Sequence, residues 1–247
     1  MKADASAQLR LLDLQAIDAR VDQLRHQRSH LPELAEIATL AASRGEVEGQ
    51  RIDHQIVVDD LTVAQAKADA DVEQVKARRS RDRERIDMGM VTSPKDLEHL
   101  QHELTSLERR ISVLEDEELE VMEQLESAQA AVAELEQKLA AHDERIAELS
   151  SVRDQRFAEI DRELESAIAD RAPAVADIPE ALLALYERLR ASKGGVGAAE
   201  LRARQCGGCR LTLDNAELAS IRGRAADDVV RCEECTRILV RTAESGL

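Results

Sequence analysis

Between Leu97 and Leu149 the chain carries a heptad seam that leaves few folds open to it. In alternating steps of three and four, sixteen positions run from Leu97 through Leu104, Ile111 and Leu125 to Leu149, and all but Glu118 and His142 are apolar. This spacing draws one apolar stripe along a helix, and a stripe of such length must be covered by another helix. The helix starts sharply. Ser93 is placed to cap it, Pro94 suits its first position, and Asp96 stands where a capping acid belongs. Met88–Ser93, just before, breaks the pattern and reads as a turn.

The covering helix is therefore the segment on the other side of that turn, and the pair reads as an antiparallel hairpin. Its first arm opens with Leu14, Ile17, Val21 and Leu24 at heptad spacing. Ser29-His30-Leu31-Pro32 interrupts it, because proline lacks an amide donor and crowds the preceding turn. Beyond Pro32 the seam is weaker, carried by Leu34, Ile52, Ile56, Val63, Val72, Val75 and Ile86, with Gly45 and Gly49 lowering helix propensity. Ala172-Pro173 ends the second arm. Asp177-Ile178-Pro179-Glu180 caps a short helix that stops at Gly194-Gly195. Strands are expected at Gly195–Arg204, Val229–Arg231 and Arg237–Arg241, with Asp214 capping a small helix through Ile221. The resulting division is 1–172, a coiled-coil hairpin with its turn at 88–93 and a kink near 29–32, and 173–247, a small α+β domain. The fold class is mainly α. Composition agrees: charged residues make up 34% and aromatics 1%, which suits thin Ala/Leu packing between long helices.

All four cysteines lie in the second segment, as Cys206-Gly-Gly-Cys209 and Cys232-Glu-Glu-Cys235. Two such pairs brought together by turns make a tetrahedral sulfur cage, and Zn²⁺ suits it by its softness and its tolerance of any four-ligand geometry. Iron takes the same ligands; a thioredoxin-type redox pair would need a βαβ context, which is absent. Four cysteines leave no open coordination position, so one structural, non-catalytic zinc per chain is expected. So small a segment with few large apolar residues would draw most of its stability from the metal.

Charge is uneven. The chain carries −16; residues 192–247 are near neutral, and the first 191 hold −17. Against this acidic background the hairpin turn is basic. Lys76, Arg78, Arg79, Arg81, Arg83, Arg85 and Lys95 outnumber Asp82, Glu84 and Asp87 there. They form either a contact for phosphates or an acidic protein surface, or cross-arm pairs with Glu103 and Glu108. Glu118 and His142 read as register-setting polar residues of the seam. Asp227-Asp228 reads as a solvated pair. No nucleophile triad, phosphate loop or His-Glu metal motif is present, so an enzyme is not expected. No run of apolar residues is long enough for a membrane helix, and MKADASAQLR has no apolar signal core, so a cytoplasmic location is expected.

Thr92-Ser93-Pro94-Lys95-Asp96-Leu97-Glu98, the run from Ile178-Pro179-Glu180 to Lys193-Gly194-Gly195-Val196, and both cysteine knuckles with Arg237-Ile238-Leu239 together resemble a bacterial family of coiled-coil hairpin proteins with a C-terminal four-cysteine zinc ribbon. The likeness covers essentially the whole chain. One departure lies in the second knuckle: many relatives carry Pro inside it and Gly after it, where this chain has Glu233, Glu234 and Thr236. The resemblance implies zinc binding and non-enzymatic adaptor work with protein partners, among them transcription, secretion or flagellar components and in some cases RNA. The leading expectation is a cytoplasmic scaffold for protein partners. The alternative is a nucleic-acid-binding regulator acting through the ribbon and the basic turn, although the acidic rod and the scarcity of stacking aromatics weigh against it. A homodimer is a third expectation, because an exposed hairpin face can pair with a second copy.

Overall fold

A computed structural model describes all residues from Met1 to Leu247. Five helices and four short strands follow in order: α1 (Ala5–Ser29), α2 (Pro32–Asp87), α3 (Pro94–Ala176), α4 (Glu180–Ser192), β1 (Ala198–Arg202), β2 (Gln205–Cys206), α5 (Asn215–Gly223), β3 (Val230–Arg231) and β4 (Ile238–Arg241). By packing the chain divides into two compact units. One is Met1–Leu34 with Ser150–Leu247; the other is Ala35–Leu149. The boundary expected from the sequence falls at 172/173. The packed unit reaches further because α1 and the end of α3 share a core with α4 and the strands.

The unit Ala35–Leu149 is the hairpin of α2 and α3. On α3 the seam is as read: Leu100, Leu104, Ile111, Leu114, Leu125, Val132, Leu135 and Leu139 are buried. On α2 the seam differs from the expectation. Ile52, Ile56 and Val63 are 48%, 54% and 71% exposed. The sheltered positions run instead through Ile37, Leu40, Arg44, Val47, Arg51, Val58, Gln65, Ala68, Val72 and Val75. Polar members of this row stay in place by reaching out of it. Arg44 bonds Asp143 at 2.5 Å, and Arg51 bonds Glu48 at 2.8 Å. Across the arms Arg145 meets Glu36 at 2.8 Å, Lys76 meets Glu115 at 2.8 Å and Arg78 meets Glu103. Glu118 is half-buried and shares a hydrogen bond with Asp69 on α2. That bond, burial and the neighbouring acid hold its carboxyl above the usual range. It is thus a polar cross-arm contact in the seam.

The other unit is layered around a four-stranded sheet of order β2-β1-β4-β3. β1 runs parallel to β4, Ala198 opposite Ile238 and Leu201 opposite Arg241; the β1–β2 and β3–β4 pairs are antiparallel. Alternation along the strands sends side chains to two cores. Ala198, Ile238 and Val240 face Leu11 and Leu14 of α1 and Leu182, Tyr186 and Leu189 of α4. Ala199, Leu201, Val230 and Leu239 face Leu213, Leu218 and Ile221 of the α5 segment together with Cys206 and Cys232. The N-terminus closes the β3 side: the Ala3 amide bonds Asp227 O at 2.8 Å and the Val229 amide bonds Met1 O at 3.1 Å. Lys2 meets Asp227 at 2.9 Å, so Asp227 is held in an ion pair.

Two local expectations are corrected. Helix α3 does not end at Pro173 but continues to Ala176. Proline there forfeits only one bond, to the Ala169 carbonyl, in the last turn, while Ala174 and Val175 gain packing on the core. Asp177 does not cap α4, which starts after Pro179 with no side-chain cap; it pairs with Arg10 of α1. Asp214 does cap α5, accepting from the Glu217 amide at 2.7 Å.

A polar cluster that the sequence reading missed joins α1, α3 and α4. Asp18 is only 2% exposed. It accepts from the Tyr186 hydroxyl at 2.8 Å and from Arg171 Nε at 2.8 Å, with Arg190 Nε at 3.4 Å. Arg171 also pairs with Glu187, and Arg190 with Asp22 at 2.6 Å. The buried Asp18 carboxylate is therefore met by several partners, which is the condition for tolerating it, whereas Arg190 Nε is buried without a hydrogen bond. The signal was available: Asp18 stands at heptad spacing between Leu14 and Val21.

Candidate metal centre

The site is built from two six-residue knuckles of the same geometry. In the first, the Cys206 amide bonds Leu211 O at 3.0 Å and the Arg210 amide bonds Cys206 O at 2.7 Å. In the second, the Cys232 amide bonds Arg237 O at 3.1 Å and the Thr236 amide bonds Cys232 O at 2.9 Å. The residue after the second cysteine of each takes the left-handed conformation, Arg210 at φ 65° and Thr236 at φ 64°. Sequence spacing locates the knuckles but not this requirement. Cys206 ends β2 and Cys232 follows β3, the two edge strands of the sheet, and the knuckles beyond them bring the sulfurs together. Arg237 ties the second knuckle to the segment after α4 by bonds to Val196 O at 3.0 Å and Lys193 O at 2.7 Å.

The four sulfurs all lie within 4.8 Å of one another. Cys206 Sγ is 3.8 Å from Cys235 Sγ, and Cys209 Sγ is 3.9 Å from Cys232 Sγ. A tetrahedron with zinc–sulfur bonds of about 2.3 Å has edges of about 3.8 Å, so the cage has the size of a zinc site. The separations are far too long for a disulfide. Cys206 and Cys232 are buried, and Cys209 and Cys235 half-buried. Burial pushes the Cys206 thiol up, opposed by the Cys209 and Gly208 amides. It pushes Cys232 up to about 12, opposed by the Cys235 and Glu234 amides. At Cys235 burial also raises the thiol, but the Arg237 backbone and side chain and the neighbouring thiols outweigh it and bring it to about 7. Amides aimed at sulfur stabilise the thiolates that a metal requires. Cys206, Cys209, Cys232 and Cys235 thus hold one structural zinc. The ion supplies cohesion between the knuckles, and four sulfurs leave it no open position for a substrate.

The other candidates, at the hairpin turn, stand as follows. Arg78 pairs with Glu103, Arg83 with Asp87 at 3.7 Å, and Arg85 with Asp82 at 3.6 Å. Arg79 is half-buried. Arg81 and Lys95 are exposed and take no part in an ion pair. The cross-arm pairing expected for Lys76 and Arg79 with Glu103 and Glu108 falls to other residues: Lys76 reaches Glu115, and Arg78 rather than Arg79 reaches Glu103. No helix is long and apolar enough to cross a membrane.

Comparison with known proteins agrees with both parts of this architecture. The family model for the CT398-like coiled coil hairpin domain matches residues 14–194, and that for the C4-type zinc ribbon domain matches residues 205–239. Uncharacterized protein Rv2229c of Mycobacterium tuberculosis is 36% identical over 241 residues, 98% of this chain and 98% of its own. Uncharacterized protein ML1638 of Mycobacterium leprae is 28% identical over 221 residues, 88% of this chain and 93% of its own. A solved structure from Mycobacterium smegmatis has a TM-score of 0.85 at 36% identity, covering 98% of this chain and 100% of that one. CT398 from Chlamydia trachomatis has a TM-score of 0.71 at 18% identity, covering 96% and 98%, a likeness of fold.

Proposed function

The chain belongs to the family of CT398-like coiled-coil hairpin proteins that carry a C4-type zinc ribbon, and on that premise we propose that it is a non-enzymatic adaptor that holds protein partners, in the regulation of transcription or secretion. The observation that carries this reading is the closed sulfur cage beside an exposed, mixed surface. All four ligand positions are filled by the chain, so the metal can shape a surface but not activate a substrate. Beside the cage Leu211 is 51% exposed, flanked by Arg210, while Glu233 and Glu234 are exposed on the second knuckle. One apolar side chain rimmed by charges of both signs suits a protein contact. The descriptions of the two matching families, a coiled coil hairpin and a zinc ribbon, name no enzymatic activity.

The alternative, a nucleic-acid-binding regulator, draws support from Arg81 and Lys95, the exposed cations without an ion-pair partner at the turn. An acidic chain with one Phe, one Tyr and no Trp offers little for base stacking. The deciding experiment is affinity capture of the full-length protein from an extract of its own cells, half of it nuclease-treated, beside Cys206→Ser/Cys209→Ser and Arg81→Glu/Arg83→Glu variants. A protein recovered after nuclease treatment and lost with the cysteine variant supports the adaptor. Recovery that collapses with nuclease and with the arginine variant transfers the function to nucleic acid, and its binding should then weaken steeply with salt.

A further inference from the structure

The three apolar residues that α2 withholds from the hairpin seam belong to a second row. From Gly45 to Ala77, in alternating steps of four and three, every position on α2 is exposed. The row contains Ile52, Ile56, Val63, Ala66 and Ala70, and only Asp59 and Glu73 in it are charged. Its positions lie alternately one and two residues on from those of the sheltered row, about 100° to 200° around the helix. Heptad spacing of aliphatic and small residues is the pattern one helix presents to another. A Cβ placed on Gly45 or Gly49 would meet nothing within 4 Å, so no part of the chain covers that end.

We propose that this row is a self-association surface, on which α2 of a second copy packs antiparallel. The charges beside the row select that occupant and its direction. In an antiparallel pair the row positions oppose when their numbers sum to about 122. Ile56 then faces Ala66 of the second copy and Ile52 faces its Ala70, both isoleucines on small side chains, while Val63 faces its Asp59. The same register sets Asp53 beside Lys67 of the second copy, and the twofold axis repeats the pair. Asp53 and Lys67 are both exposed and belong to no ion pair within the chain. Glu48 comes beside Lys76, although these already pair with Arg51 and Glu115 of their own chain. The one like-charge meeting is Asp60 with itself. An in-register parallel pair would instead set Glu48 beside Asp53 twice and leave Lys67 without an acid. Asp59 within the row keeps the association modest, since a carboxylate at a packed position weakens the pair.

The test is sedimentation equilibrium of the full-length, zinc-loaded protein from micromolar to sub-millimolar concentration. The expected result is a reversible monomer–dimer equilibrium. Asp53→Lys and Lys67→Asp should each weaken it about tenfold, by replacing two attractive contacts with two repulsive ones, and the double variant should return to within about threefold of the original. Both positions are exposed on a continuous helix, so far-ultraviolet helicity should match the parent and show that the variants fold. A single-chain mass at every concentration overturns the proposal. So does a double variant no tighter than the singles, or tighter association by Asp53→Lys alone, which is the signature of the parallel register.

Discussion

Thr236 shows how a single residue can carry a cost that the fold imposes. It occupies the left-handed region at φ 64°, where a β-branched side chain crowds its own backbone. Its amide must reach Cys232 O to close the knuckle, so the conformation is required by the metal site. Glycine adopts it without strain. Thr236→Gly is therefore expected to stabilise the zinc-loaded protein by about 1 kcal/mol, read as a rise in the denaturant midpoint with unchanged slope. Unchanged or lower stability would mean that the Thr236 hydroxyl, which donates to Cys235 O at 2.7 Å, outweighs the strain. Tyr186 gives a second residue-scale reading. Burial, followed by its hydrogen bond to Asp18, drives its phenol far above the ordinary value of 10.0. The folded state thus prefers the protonated form, and the stability it contributes is intact below about pH 10 and falls as pH rises beyond the unfolded value. Tyr186 is the only tyrosine and there is no tryptophan, so phenolate absorbance reports on it alone. The absorbance should stay silent through pH 10 in the folded protein and appear only with alkaline unfolding, whereas the denatured chain titrates near 10. Ordinary titration in the folded state would contradict the buried contact.

At the scale of elements, legibility follows the purity of the signal. Helix α3 was readable because its seam is apolar almost throughout, and its start was marked by Ser93-Pro94. The two arms could be paired from the turn between them. The α2 seam differs from the expectation for a physical reason: Ile52, Ile56 and Val63 keep heptad spacing but on another face, while Arg44, Arg51 and Gln65 occupy sheltered positions, the two arginines bonded to Asp143 and Glu48. Hydrophobicity alone cannot choose between two rows one or two residues apart; the partner helix does. The knuckles could be read from cysteine spacing. The β1–β4 parallel pair could not, because it joins two short strands far apart in the chain whose register is set by packing. The polar seam offers a test. Gln65 is half-buried in the row facing α3, and Gln65→Leu should bury part of an apolar side chain in its place, stabilising the hairpin by about 1 kcal/mol. The same change at Gln50, which is exposed on α2, would not bury comparable surface. Thermal unfolding of the two variants should therefore diverge, and equal midpoints would place the seam elsewhere.

For the molecule as a whole, the division into two units predicts how it comes apart. Every zinc ligand lies between Cys206 and Cys235, within the unit Met1–Leu34 and Ser150–Leu247. The unit Ala35–Leu149 contains no cysteine and holds itself by the α2–α3 seam. In the zinc unit the two cores are not equally exposed to metal loss. Cys206 and Cys232 are part of the core that covers one face of the sheet, with Leu213, Leu218 and Ile221. The opposite core, around Tyr186, Leu11 and Leu14, contains no ligand. A chelator should thus melt the knuckles and α5 first, because zinc binding energy is folding energy for so small a region. The chain is 75% helical, and α5 contributes only 9 residues. Helicity should therefore fall by less than about one fifth on chelation even if part of α4 follows. On heating, the metal-free protein should show an early transition in the zinc unit and a later one in the hairpin, the later one at the same temperature with or without zinc. Loss of most helicity on chelation, or a single transition that moves entirely with zinc, would mean that the continuous α3 helix binds the two units into one cooperative structure.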